Sequence, residues 1–376
     1  MARKLKSDKF LFMAMLLLVC TSVVMVYSAS AVVLDQRHEN PYLFLVKQGT
    51  WALLGLFLVQ VVMRIDYRHY RQPVVIWTGL VVVGVALVAV LFGRPINGAT
   101  RWLNIGPLGI QPSELAKVLI VLFIAALLER RMERIDEPAY ALLPIGVVLG
   151  AIVLLILEQP DLGTAASIVV IAGVMIFSAG ISYRYVAGLA IMAIPTLYFL
   201  LLTDYRWRRV QAYLNPWADP LGDGYQMIQS MIAVGVGGVF GRGLMDGVQK
   251  LFYVPEPHND FIYAVISEEL GLIGATVVLV CFCVITWRGL RTAIRAPDRF
   301  GAFVAIGITT MVAFQAFFNI SVVLGLLPTK GIPLPLVSYG GSSLLINLVG
   351  MGILLNVSQH ASSSHIVTTA LPTADA

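Results

Sequence analysis

Charge is what this sequence lacks most. Only 12 % of its 376 residues are Asp, Glu, Lys or Arg, against 58 % hydrophobic, and the mean hydropathy is +0.84. Such a balance excludes a soluble globular domain and points to a polytopic membrane protein. Cysteine is nearly missing too: Cys20, Cys281 and Cys283 all lie inside apolar stretches, which excludes a disulfide framework and a cysteine metal site. No polar block between residues 10 and 357 is large enough to fold separately, so residues 1–357 read as a single transmembrane domain. Phosphate-gripping glycine loops are missing as well. No Walker loop occurs, and GVGGVFGRG (residues 235–243) has Phe240 where a dinucleotide fingerprint needs its third glycine. We find no internal repeat. The net charge of +5 comes from short basic clusters between apolar runs, where membrane orientation explains them, so nucleic acid is excluded as a partner.

What is present is a succession of apolar runs. The first, Phe10 to Leu34, is longer than a signal-peptide core and has only a weak cleavage site at Ala29-Ser30-Ala31, so it reads as a retained span. On the rule that a span needs roughly 20 apolar residues, about ten are predicted, near 10–34, 41–63, 73–92, 113–128, 139–157, 162–180, 185–203, 261–287, 301–325 and 338–357. Lys and Arg fall unevenly between them. One set of segments holds Arg3, Lys4, Lys6, Lys9, Arg64, Arg68, Arg71, Arg130, Arg131, Arg134, Arg184, Arg288, Arg291, Arg295 and Arg299. The short segments on the other side hold only Arg37, Arg94, Arg101 and Lys330. The asymmetry puts both termini in the cytoplasm and a large loop, about 204–260, outside between the seventh and eighth spans. The expected architecture is therefore an all-α polytopic membrane protein. Residues 358–376 are small and polar, expected to form a disordered cytoplasmic tail.

Three outer segments stand out. GRPINGATRWLNIGPLGIQP (93–112) is rich in turn residues and carries Arg101-Trp102. In the loop 204–260, the apolar part Met227 to Phe240 is too short to span and is expected to lie in the interface or dip back. LPTKGIPLPLVSYGGSS (327–343) has three prolines and three glycines, which exclude a regular helix; such backbone is tolerated at membrane depth only where it lines a cavity or packs in protein. Together these loops are expected to roof one outward-facing cavity.

Ionisable residues in or beside spans are candidates for function because their burial is costly. Tyr253 to Leu270, YVPEPHNDFIYAVISEEL, concentrates them: Glu256, His258, Asp260, Glu268 and Glu269. Asp260, just before an apolar run, reads either as a catalytic base or as a helix N-cap. His258 reads either as a proton carrier or as a loop residue held by hydrogen bonds. Glu268 and Glu269 diverge by about 100° on a helix and are expected to be structural, at least one paired with a base. Elsewhere, Lys47 opens the second span and serves equally well by snorkelling. Glu114 and Lys117 are spaced to pair, as an ion pair or as a substrate contact. In EQPDLGT, Gln159 and Asp161 end the fifth span, and Asp161 suits a turn as well as a ligand.

Five motifs, PEPHNDFIYAVISEELG, PTKGIPLPLVSYGGSS, NGATRWLNIGPLGIQPSELAK, EQPDLGTA and NPWADPLGDGYQMIQSMIAVGVGGVFGRG, together resemble the SEDS family (shape, elongation, division and sporulation). The likeness covers nearly the whole chain. PTKG before IPLPLVSYGGSS, and YVPEPH, bring it nearer the FtsW and SpoVE branches than RodA. The resemblance implies a peptidoglycan glycosyltransferase that polymerises lipid II at the outer face of the bacterial cytoplasmic membrane, at the division septum, beside a class B penicillin-binding transpeptidase and other division proteins. The family's catalytic aspartate falls on Asp260, although the residue before it is Asn259 where the family has Thr. Lys47, Arg101, Lys117 and Lys330 would then contact pyrophosphate or headgroup, with Glu114, Gln159, Asp161, Glu256, His258 and Ser338 completing the substrate-binding set.

The implied reaction suits these residues. A sugar hydroxyl attacking an anomeric carbon needs a base, and a carboxylate at a half-desolvated boundary is suited to that work. A lipid pyrophosphate leaves readily and needs cations more than a proton, so one carboxylate suffices where ordinary glycoside hydrolysis uses two. No cofactor is required, although Glu256, His258 and Asp260, alternating along the chain, leave room for a divalent cation, magnesium or manganese. Two other readings stand beside this one: a lipid II flippase, which would also use charge within the membrane, and a division scaffold with no need of Asp260. Against the flippase, charge clusters at the outer ends of spans and forms no chain across the midplane.

Overall fold

The computed structural model describes residues 7–36, 38–93, 100–105, 108–135, 137–185, 187–188, 191, 204–250 and 258–367. The chain is a helical bundle. Its helices are α1 (Lys9–Gln36), α2 (Leu43–Val62), α3 (Pro73–Leu91), α4 (Pro112–Arg131), α5 (Pro138–Glu158), α6 (Leu162–Ser178), α7 (Asp204–Leu214), α8 (Tyr225–Gly237), α9 (Ile262–Ile294), α10 (Arg299–Val323) and α11 (Gly341–Val367). Among the described residues six of these, α1, α2, α3, α9, α10 and the first part of α11, are long and apolar enough to cross a membrane. α5 contributes a shorter apolar helix, as does α6. The span expected over 185–203 lies mostly outside the described residues. α11 continues to Val367, so the polar segment expected from 358 begins as helix.

α4 lies in the middle, packed against α3, α5, α6, α10 and α11. Its buried residues run almost unbroken from Pro112 to Leu128, which explains how it carries Glu114 and Lys117 without presenting charge to lipid. α3 shows the opposite pattern. Val74, Val81, Val85 and Phe92 are exposed, as an apolar lipid-facing stripe should be.

Two features depart from a plain bundle of straight helices. Leu103–Ile105 and Leu108–Ile110 pair antiparallel, with Leu103 opposite Ile110 and Ile105 opposite Leu108.

The larger departure is in α9. A straight helix of 33 residues would be about 50 Å long, well beyond a hydrocarbon core of about 30 Å. The helix is broken at Gly271, with φ 64° and ψ −164°, a conformation only glycine adopts easily. The break frees the carbonyls of Glu268 and Glu269 and the amides of Leu272 and Ile273. Residues 238–243 satisfy all four. Arg242 N donates to Glu268 O (3.0 Å), Gly243 N to Glu269 O (3.0 Å), Leu272 N to Gly238 O (2.9 Å) and Ile273 N to Val239 O (3.3 Å). Such contact requires bare backbone: a Cβ built on Gly237 would lie 1.9 Å from Ser267 O, and one on Gly241 2.1 Å from Glu269 O. The glycine run that fails as a nucleotide fingerprint is the strap that mends a broken helix. Within Met227 to Phe240, α8 packs on α9 and α10.

Candidate active site

The short helix before the break, residues 262–270, is buried almost throughout, and Asp260 lies just before its N-terminal end. Five polar groups anchor it through Glu268 and Glu269. Glu269 accepts from Ser28 Oγ (2.7 and 2.6 Å) and pairs with Lys250 Nζ at 2.6 Å. Lys250 also donates to Met245 O at 2.9 Å, and Met245 N returns a bond to Glu269 Oε2 at 3.2 Å. Glu268 accepts from the amides of Val248 (2.8 Å) and Gln249 (3.2 Å). Glu268, Glu269 and Lys250 are each at most 1 % exposed. The glutamates are structural, as expected, and one of them pairs with a basic residue, Lys250.

At that end, the turn His258–Phe261 meets the loop 327–340. Ser338 Oγ donates to Asn259 O (2.6 Å) and accepts from Leu334 N (2.8 Å). Tyr339 N donates to His258 O at 2.9 Å. Asn319 Nδ2 reaches both Asp260 O (2.7 Å) and Ile332 O (2.8 Å), stapling turn to loop from α10. Asp260 is half-buried, and its carboxylate lies against Gly331: a Cβ built there would fall 2.7 Å from Oδ2. The N-cap of α9 is Phe261, with no side-chain cap bond. The loop backbone is irregular and packed in protein, with Ile332, Leu334, Leu336 and Val337 buried.

The other predicted residues are placed in different ways. His258 stacks on Phe44 (ring centroids 5.0 Å) and meets Tyr339 edge-on at 5.5 Å, which suits its loop-shaping role. Lys330 runs over the start of α6, its Cε 3.5 Å from a Cβ built on Gly163. Asp161 caps α6, accepting from Thr164 N (3.2 Å) and Thr164 Oγ1 (2.7 Å), and also receives Gln111 Nε2 at 3.3 Å. Its turn reading thus holds in the geometry. Glu114 and Lys117 pair at 2.8 Å, both buried, and Ser343 Oγ donates to Glu114 at 2.9 Å. Gln111 N donates to Ser342 Oγ at 3.3 Å, joining the starts of α4, α6 and α11 in one polar network.

Arg101 donates to the carbonyls of Gln159 (3.3 Å) and Pro160 (2.5 Å), a cation at the negative end of α5. Gln159 is fully buried and turns inward, donating to Leu87 O at 3.0 Å. Lys47 is exposed and forms no ion pair among the described residues. Glu256 lies outside the described residues. Among them no cluster of three His, Cys, Asp or Glu could hold a metal ion. Sequence reasoning missed Asn319 and Gly331. Asn319, a lone amide in the apolar AFFNISVV, was visible as a polar group in a span; Gly331 carried no comparable mark.

The family model described as "Cell cycle protein", covering FtsW, RodA and SpoVE, matches residues 8–363. A protein named probable peptidoglycan glycosyltransferase FtsW, from Geobacter sulfurreducens, is 44 % identical over 353 residues, covering 93 % of this chain and 95 % of that one. Stage V sporulation protein E of Bacillus subtilis is 42 % identical over 366 residues, covering 96 % and 99 %. Among solved structures, a chain from a peptidoglycan synthase complex that coordinates polymerization and crosslinking superposes with a TM-score of 0.78 at 32 % identity, covering 95 % of this chain and 99 % of that chain. Rod shape determining protein RodA of Thermus thermophilus gives 0.69 at 28 % identity, covering 94 % and 97 %.

Proposed function

The chain belongs to the FtsW, RodA and SpoVE family of cell cycle proteins, and from that we propose that it is a peptidoglycan glycosyltransferase polymerising lipid II at the outer face of the cytoplasmic membrane, with Asp260 as general base. The observation that carries the assignment to Asp260 is its position. A half-buried carboxylate sits where a broken helix, held by a buried ion pair, meets an irregular loop pinned by Ser338 and Asn319. Such framing suits a group that must be held within a fraction of an ångström of the proton it takes.

In this reading Asp260 takes the proton from the acceptor sugar hydroxyl as that oxygen attacks the anomeric carbon of the donor. The bond to the lipid pyrophosphate breaks, and its charge is met by cations. Lys330, one residue from the glycine against Asp260, is best placed for that role; Arg101 and Lys117 are committed to Pro160 and Glu114 and serve through the field around the cavity. No step is routed through a metal ion. The orientation that supports this has about ten spans, both termini inside and residues 204–260 outside. Work beside a class B penicillin-binding transpeptidase at the septum belongs to the same proposal, supported by the synthase complex among the structural relatives.

The test is polymerisation of labelled lipid II by purified protein, alone and with its transpeptidase. Asp260→Asn should lose roughly 10²-fold or more, the usual share of a general base. Glycan strands made by Asp260→Asn at the wild-type rate would overturn the assignment, and transport of labelled lipid into sealed vesicles without strands would favour the flippase.

A further inference from the structure

A polar cavity lies at the opposite end of α9 from Asp260. It has a volume of about 190 Å³ and is lined by Asp8, Arg288, Arg291, Thr292, Arg295 and Ser358. One of its three arginines is already committed. Arg288 Nε donates to Asp8 at 2.6 Å and a second guanidinium nitrogen pairs with the same carboxylate, which also caps α1 through Phe10 N and Leu11 N. The hydroxyl hydrogens are spent too: Thr292 Oγ1 donates to Arg288 O (2.9 Å) and Ser358 Oγ to Leu355 O (2.7 Å). Arg291 and Arg295 pair with no carboxylate among the described residues. The cavity therefore presents two uncompensated guanidiniums with many donors and little to receive them, the lining that suits an anion with several oxygens.

Its surroundings say where such an anion comes from. Trp287, Leu290 and Ile294 are 61, 44 and 86 % exposed. At about 100° per residue they form a stripe roughly a quarter-turn around α9 from Arg288, Arg291 and Arg295. Arg288 also lies 5.5 Å from the ring of Phe10 and 5.6 Å from that of Trp287, and Phe10 is exposed. Exposed tryptophan beside arginine marks the boundary between hydrocarbon and headgroups. A soluble anion needs the guanidiniums but not the apolar stripe; a lipid uses both. We propose that this cavity binds the phosphate headgroup of an anionic phospholipid, its chains along Trp287, Leu290 and Ile294, in the leaflet that the basic residues make cytoplasmic.

The test uses the full chain, purified and reconstituted in nanodiscs containing phosphatidylglycerol in phosphatidylcholine, with bound lipid counted by native mass spectrometry after graded delipidation. Wild type should retain phosphatidylglycerol selectively. Arg291→Gln with Arg295→Gln should weaken that retention roughly thirtyfold, at roughly fivefold per arginine near an anionic surface. Arg64→Gln with Arg130→Gln, exposed cations away from the cavity, should not. Equal retention by wild type and the 291/295 variant overturns the proposal. So does displacement of the lipid by glycerol phosphate at the lipid's own concentration, which would show a site for soluble phosphate. Since both replaced side chains reach solvent, folding should survive, and an unchanged elution profile and melting temperature confirm it.

Discussion

Gly331→Ala separates the position of Asp260 from the stability of the fold. The added Cβ would sit 2.7 Å from Asp260 Oδ2 and 3.6 Å from its Cγ, whereas carbon and oxygen in ordinary contact stand about 3.4 Å apart. Something must move by roughly 0.7 Å. What yields is the end of a side chain, not backbone, and Gly331 is exposed with no left-handed φ, so the fold should absorb alanine with little loss. The carboxylate cannot absorb it so cheaply. Misplacing a catalytic group by about 1 Å costs on the order of 10²-fold, which puts the expected fall in kcat at roughly 10- to 10²-fold with KM for lipid II nearly unchanged. The assay is strand formation from labelled lipid II at several substrate concentrations, with melting temperature measured in the same detergent. Gly340→Ala, whose Cβ meets only Ser343 Cβ at 3.6 Å, is the control in the same loop and should stay near wild type. A Gly331→Ala enzyme with wild-type kcat and unchanged melting would refute the placement of Asp260 as base; equal losses in both variants would show the loop tolerates no alanine at all.

Glu269→Ala should destabilise by about 3–5 kcal/mol, because it strands a buried ammonium; Glu269→Leu combined with Lys250→Met should cost much less than the two single changes together, and additive melting shifts would contradict the ion pair. Gly241→Ala, with φ +80° and a Cβ 2.1 Å from Glu269 O, should fail to accumulate as folded protein, as read by size-exclusion chromatography of a fluorescent fusion. Ser338→Ala removes two bonds from a buried hydroxyl and should cost about 1–3 kcal/mol, with activity falling further than Ser338→Cys. At the other end of the bundle, burial alone would raise the Asp298 pKa, but hydrogen bonds from Tyr67, Gly301 N–H and Arg68 outweigh it and hold the group below its usual value. Its contribution is therefore present above the ordinary Asp range, about 3.9, and is lost as pH falls through the lowered folded value. Melting temperature should be insensitive to Asp298→Asn only at the acid extreme; a wild-type minus variant difference that vanished already at pH 6 would contradict this.

Much of the site was legible because charge in an apolar sequence has few bland explanations. Glu114 and Lys117 were readable as a pair from their spacing, and Asp161 as a turn residue before an apolar run; the pair is present, and Asp161 caps the helix that follows. The irregular loop at 327–343 was readable from its prolines and glycines, because backbone without a helix must be buried in protein. Capping by Asp260 was equally readable and is not the arrangement found, since Phe261 occupies the cap position. The break in α9 was not readable. ELGLIGA carries no proline, and a glycine in an apolar run is compatible with unbroken helix; only the partner strap, thirty residues earlier in the chain, makes the break affordable. Ser338 entered the candidate set through the family resemblance alone, and its hydroxyl's part in joining loop to turn carried no mark in the sequence.

The broken helix also accounts for charges that seem wasteful. Two adjacent glutamates in an apolar segment carry a heavy desolvation cost, and a continuous helix would need neither. Once the helix is interrupted at Gly271, four backbone groups lose their partners, and the strap that replaces them must be held in one register. Glu268 and Glu269 do this with their side chains, receiving the amides of Met245, Val248 and Gln249 and the Lys250 ammonium. The reward is a short helix whose direction is independent of the span that follows. Asp260 is thereby set by the strap below it and the proline-rich loop beside it, and not by the tilt of a span in the bilayer. Disturbing the strap should therefore lower activity even where Asp260 and its immediate neighbours are untouched, and Lys250→Met, 10 residues upstream of Asp260, is the substitution that shows it: polymerisation should fall in step with loss of the folded strap and recover in part when Glu269→Leu is added.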